Sequence, residues 1–111
     1  MKKVLYLFTI FSCLFLFAGC VSESYANKVN KAAEKNEHYS YAEVIDDLGE
    51  ATLDATAGGK YATGIVIWVK GCDYLEEAQE KYEDGKKLYS LTITFAAGKA
   101  VSAKWGEWKP E

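Results

Sequence analysis

Two amphipathic patterns of different period place this chain in the α+β class, with two N-terminal helices packed on one face of a three-stranded antiparallel sheet. Tyr41, Val44, Ile45 and Leu48 recur at helical spacing, whereas Tyr89, Leu91, Ile93 and Phe95 alternate with Ser90, Thr92 and Thr94 as a strand does. Val101, Ala103 and Trp105 then return on one face after the turn Ala96-Ala97-Gly98-Lys99, with Ser102 and Lys104 on the other. The hairpin therefore has one apolar face, and the Tyr41–Leu48 helix is its natural cover.

The chain opens with a different grammar. Met1-Lys2-Lys3 is a short positive region, Val4 to Phe17 is apolar, and small Ala18 and Gly19 precede Cys20. These are the three parts of a secretory signal, over a run shorter than the roughly 20 residues of a bilayer span. Ala18-Gly19-Cys20 resembles the lipobox of bacterial lipoproteins, with Phe17 where Leu is usual. The resemblance implies that Cys20 carries a diacylglycerol and becomes the N-terminus after cleavage. Each buried CH₂ contributes about 0.8 kcal/mol, so two or more acyl chains hold a protein durably where one does not. The expected organisation is a signal peptide over 1–19, the acylated Cys20 and a short tether over 20–26, and one domain over 27–111. The expected location is the extracytoplasmic side of a cell membrane or outer membrane.

Composition narrows the partners. The 111 residues include 13 basic and 16 acidic side chains. Loss of Lys2 and Lys3 leaves 11 basic against 16 acidic, a net charge of −5. That sign disfavours nucleic acid, which is held by releasing counterions to Lys and Arg, and there is no polybasic patch for anionic lipid. Attachment to the membrane then rests on Cys20. Of the three cysteines, Cys13 leaves with the signal and Cys20 is acylated, so Cys72 has no intrachain partner. A lone Cys of this kind is expected to be a small buried or turn residue.

The remaining elements follow in order. Tyr25, Val29, Ala32 and Ala33 form a thin helical stripe, read as a helix with a frayed start, although 21–37 also fits a stalk. Ser40 and Glu43 have the spacing of a capping box before Tyr41, and Gly49 ends that helix. Glu50 to Lys60 reads as a loop. Its Gly58-Gly59-Lys60 is not a phosphate loop: Asp54 stands where the first glycine belongs and Tyr61 where Ser or Thr belongs. Tyr61 to Lys70 reads as a strand, apolar on both faces through Ile65-Val66-Ile67-Trp68-Val69. The acidic stretch 72–86 is an insertion that fits either a short helix, with Asp73 as its cap, or an extended hairpin loop. Its acids match no EF-hand spacing and read as a solvated face.

The capped Val44-Ile45-Asp46-Asp47-Leu48-Gly49 helix, followed by a strand bearing Tyr61 and Trp68 and by the Leu91-Thr92-Ile93-Thr94-Phe95…Gly98-Lys99 hairpin, resembles small bacterial lipoproteins of the OmlA/SmpA type. It is more similar still to a domain of unknown function found mostly in Gram-positive lipoproteins. Both share the helix–helix–three-strand architecture of β-lactamase-inhibitory protein. His38-Tyr39 stands where that pattern has Gly-Met, and Glu50-Ala51-Thr52 where it has Pro. The resemblance implies a fold, and a fold hosts many functions.

No side-chain set in the sequence forms a catalytic constellation. His38 is the only histidine, there is no second His or free Cys pair for a metal, and no cofactor motif is present. The expectation is a non-catalytic protein-binding or scaffold module of the envelope, held on the membrane through Cys20. The alternatives are an inhibitor of a secreted or envelope enzyme and a cell-surface ligand-binding domain. Tyr39, Trp68, Tyr74 and Trp108 are the candidate protein contacts, since Tyr and Trp combine large area with a polar handle.

Overall fold

Ser22 starts the first helix. Its hydroxyl accepts the Tyr25 amide at 3.3 Å, and α1 runs Glu23–Glu34. The computed structural model describes residues 21–110. The tether expected over 20–26 does not reach beyond Ser22, because Tyr25 and Ala26 are buried with Val29 in the main core. α2 (Tyr41–Leu48) carries the expected capping box: the Glu43 amide donates to Ser40 Oγ at 3.1 Å, and the Ser40 amide to Glu43 Oε1 at 2.8 Å. Gly49 ends α2 at φ 80° and ψ −169°, a backbone state that essentially only glycine occupies.

Four strands, not three, make the sheet. β1 (Leu53–Asp54), β2 (Gly64–Val69), β3 (Leu88–Ala96) and β4 (Lys99–Trp108) form one antiparallel sheet in the order β1-β2-β3-β4. β1 lies in the stretch that the sequence presents as a loop, and two residues are too few to show a period. β2 is therefore interior to the sheet, which accounts for its apolar residues on both faces. The 72–86 insertion is a helix, α3 (Leu75–Glu83). Asp73 does not cap it. Tyr74 holds the cap position without a side-chain bond, and the Asp73 amide donates to Glu77 Oε1 at 2.9 Å.

The β3–β4 hairpin departs from simple alternation at one point. Ala97 and Gly98 take φ 51° and 84°, the pair of left-handed residues that a two-residue type I′ turn requires. Ser102 pairs with Thr94 but Ala100 pairs with Phe95, so Val101 is bulged out of the ladder. The inward place expected for Val101 goes to Ala100, which is buried, while Val101 is exposed. Gly98 also locks the turn to the rest of the chain. Its amide donates to Ala62 O at 2.7 Å, its carbonyl accepts the Tyr41 amide at 2.9 Å, and a Cβ there would overlap the Lys60 carbonyl.

Register assigns each face of the sheet. Val66, Trp68, Leu91, Ile93, Phe95 and Ala100 form one buried cluster with Tyr25, Ala26 and Val29 of α1 and Val44 of α2. α1 packs against β4. It also covers part of the sheet's edge: Asn30 donates to Ala103 O and accepts the Ala103 amide, both at 2.9 Å. One amide side chain thus does for the edge strand what a neighbouring strand would do. The other face has a smaller cluster of Val69, Cys72, Leu88 and Trp108 with Ala78 of α3.

Candidate binding surface

α3 covers only one end of this second face. Its Leu75 and Ala78 lie over Val69, Leu88 and Trp108; of the rows beyond, only Ile67 packs against this cluster among the described residues. Cross-strand partners there are Leu53, Ile67, Thr92 and Lys104 in one row, and Ile65, Thr94 and Ser102 in the next. Leu53 and Ile65 are 40% and 45% exposed, high values for large aliphatic side chains on a sheet. Where the open rows meet α3 the surface dips into a groove of about 400 Å³, walled by Leu53, Ile67, Val69, Leu75 and Trp108.

Ser90 lines this groove. It is 8% exposed, the one buried polar residue of the described core, and no hydrogen bond of its hydroxyl is found among the described residues. A buried hydroxyl without a partner costs free energy, of order 1–3 kcal/mol, unless water or a ligand meets it. Thr52, at the rim, is in the opposite condition: its hydroxyl accepts the Val69 amide at 2.9 Å and donates to Cys72 O at 2.8 Å. That bridge ties the end of β2 to the turn that follows it and finishes the β2 edge where β1 stops.

The sequence-derived candidates are distributed unevenly. Trp68 is 2% exposed, faces the main core, and donates its indole N–H to Gly49 O at 3.1 Å, so it is a packing residue and offers no contact surface. Trp108 is likewise buried, edge-on to Tyr82 at 6.2 Å between ring centroids, although its side chain walls the groove. Tyr39 is half-buried against the main core, 5.9 Å from the Tyr25 ring, beside a hollow lined by Glu43, Asp46 and Asp47. Tyr74 alone stands out, at 68% exposed, just ahead of α3. Cys20 and the apolar run before it lie outside the described residues. Leu53 and Ile65 escaped sequence reasoning because nothing local says which face of a two-sided apolar strand will be left uncovered.

Burial pushes the Cys72 thiol up, against the pull of nearby Lys81. His38 leads into the segment that pairs with Lys99 and Ala100, at the far end of the sheet from Cys72 beside Val69. The two therefore do not form a nucleophile–base pair. Burial, and then the hydrogen bond it donates to Asp47 at 2.8 Å, hold the Tyr25 phenol neutral far above its usual range. Burial works against ionisation of Asp54, but hydrogen bonds from the Thr56 hydroxyl, Tyr41 and the Thr56 amide outweigh it and keep the carboxyl low. Among the described residues no three His, Cys, Asp or Glu side chains are grouped to hold a metal, and no helix is long and apolar enough to cross a membrane. Comparison of the chain with protein-family models, with curated proteins and with solved structures returns no match.

Proposed function

We propose that this chain is a lipid-anchored, non-catalytic binding or scaffold module of the bacterial envelope, and that it engages a protein partner through the half-covered face of its sheet. The observation that carries this reading is the asymmetry of the sheet: one face is closed by α1 and α2, while the other leaves Leu53 and Ile65 exposed beside the groove under α3. Exposed aliphatic rows that lead into a groove are a common form of interaction surface. The signal grammar and the lipobox resemblance at Cys20 supply the anchor. The helix–helix–sheet order is in keeping with the OmlA/SmpA-like and β-lactamase-inhibitor-like resemblance.

The scaffold reading is preferred to an enzyme inhibitor because of what the open rows carry. An inhibitor of that kind is expected to present aromatic and acidic side chains, and here Leu53, Ile65, Thr92, Thr94, Ser102 and Lys104 face outward. Photo-crosslinking residues placed at Leu53, Ile65 and Tyr74 of the full chain in native membranes provide the test, with Lys31 on α1 as control. The expected result is one discrete protein adduct from Leu53 and Ile65 and none from Lys31. No adduct from either sheet position, or equal labelling at Lys31, defeats the proposal. Release of the Cys20→Ser variant from membranes checks the anchor separately.

A further inference from the structure

We infer that the domain rests directly on the bilayer holding its lipid anchor, with the end of the sheet that carries Tyr89 and Trp105 turned to the headgroups. This rests on the lipid-anchored reading of Cys20. The first observation is the missing tether. Val21 packs against the main core, Ser22 caps α1, and the helix is under way at Glu23. Cys20 is thus one Cα–Cα step, about 3.8 Å, from a residue fixed in the fold. A diacylglycerol on Cys20 sits at headgroup depth, so the domain has no length of chain on which to stand away from it.

The second observation is which part of the domain that link brings down. Asn30 grips Ala103, and the chain leaving α1 reaches Ala100 through the Tyr39 carbonyl, which accepts the Ala100 amide at 2.8 Å. α1 therefore runs antiparallel to β4, with its N-terminus toward Trp105. The hydrogen bond from Tyr25 to Asp47 in the last turn of α2 fits this direction. Gly49, just past that turn, accepts the indole of Trp68, which shares a row with Leu91 and Trp105. Val21 and Ser22, the residues that follow the anchor, are at the same end of the molecule as Trp105.

The third observation is what that end presents. Tyr89 and Trp105 stack with centroids 5.8 Å apart and planes 9° from parallel, and Tyr89 is 40% exposed. Lys70 lies beside Tyr89, its amide donating to the Tyr89 carbonyl at 2.9 Å, and Lys109 follows the end of β4; both are exposed. Trp and Tyr favour the depth where apolar tails meet polar headgroups, and Lys extends its methylene stem along apolar surface while its ammonium stays at the phosphates. Glu107 shares the row, and the acids of α3 lie behind it on the other face. Aromatic area, and not net charge, supplies this contact.

The test uses the full acylated protein in vesicles of phosphatidylethanolamine and phosphatidylglycerol, with and without acyl chains brominated near the headgroup. The expected result is a loss of tryptophan emission in the brominated vesicles that is absent in Trp105→Phe, since Trp68 and Trp108 are buried. A nitroxide at Lys70→Cys should also be less accessible to a water-soluble relaxant than one at Lys99→Cys, at the other end of the sheet. Protein that floats with the vesicles but shows neither effect overturns the docking and leaves the anchor intact. Protein that carries no acyl group, or whose Cys20→Ser variant still floats, overturns the anchor and the docking with it.

Discussion

On the face of the sheet beneath α1 and α2, Phe95, Leu91, Ile93 and Val66 are fully buried, and the helices that cover them are tied down by Asn30 to Ala103, by Tyr25 to Asp47 and by the Tyr41 amide to the Gly98 carbonyl. The opposite face has one nine-residue helix, a cluster that includes Ala78 and Cys72, and rows of Thr and Ser left in water. A fully buried Leu or Phe side chain stabilises by about 1.5–3 kcal/mol, and the largest such side chains are in the first cluster. The contrast separates two duties. One face holds the fold, which frees the other to keep a groove, a Ser90 hydroxyl without a hydrogen-bond partner among the described residues, and exposed Leu53 without unfolding the domain.

The largest effect should come from truncating one side chain in each cluster. Phe95→Ala removes a buried ring that packs edge-to-face with Tyr41, their centroids 5.3 Å apart, and should cost about 3–5 kcal/mol in urea unfolding. Leu75→Ala, on half-buried Leu75 at the groove wall, should cost about 1 kcal/mol. Equal losses would break the comparison. Next in size is the same substitution made at two glycines. Gly98→Ala meets positive φ and the Lys60 carbonyl together and should destabilise by about 2–3 kcal/mol, whereas at Gly106, in the row of Val69 and Ser90, a Cβ meets nothing within 4 Å. Gly106→Ala should leave the midpoint unchanged or raise it slightly, and a large loss there would show the second face to be tighter than described.

The smallest effect is confined to alkaline pH. The Tyr25 phenol is neutral in the folded protein far above the value of about 10 at which the unfolded chain ionises. The unfolded state alone releases the proton, so this contribution is complete below pH of about 10 and declines above it, by up to about 1.4 kcal/mol per pH unit. Tyr25→Phe should flatten that limb and cost about 1 kcal/mol at neutral pH, the loss of one hydrogen bond to Asp47. An unchanged alkaline limb in Tyr25→Phe would place the titrating group elsewhere.

Local chemistry was legible in the sequence wherever the signal was short-range. The Ser40–Glu43 box, the glycine stop at Gly49, the alternation of Tyr89 to Phe95 and the turn at Gly98 each depend on residues within a few positions of one another. The reading went astray where a distant partner decided. Val101 obeys the alternation but is expelled by the bulge opposite Thr94 and Phe95, and whether Tyr25 and Ala26 belong to the tether or to the helical stripe is decided only when α1 is laid on β4. Trp68 and Trp108 have the composition of contact residues, yet the Gly49 carbonyl and Tyr82 claim them for the interior.

The sequence by itself determined the α+β class, the capped α2 helix, the β3–β4 hairpin and an acidic domain after Cys20, because periodicity and capping are properties of neighbouring residues. Tertiary structure decided that Leu53–Asp54 completes a fourth strand, that α3 covers only one end of the second face, and that Leu53 and Ile65 are exposed. An apolar residue on a strand specifies that it can be covered. Whether anything covers it depends on where the connecting chain falls, and the amino acids at that position do not encode it.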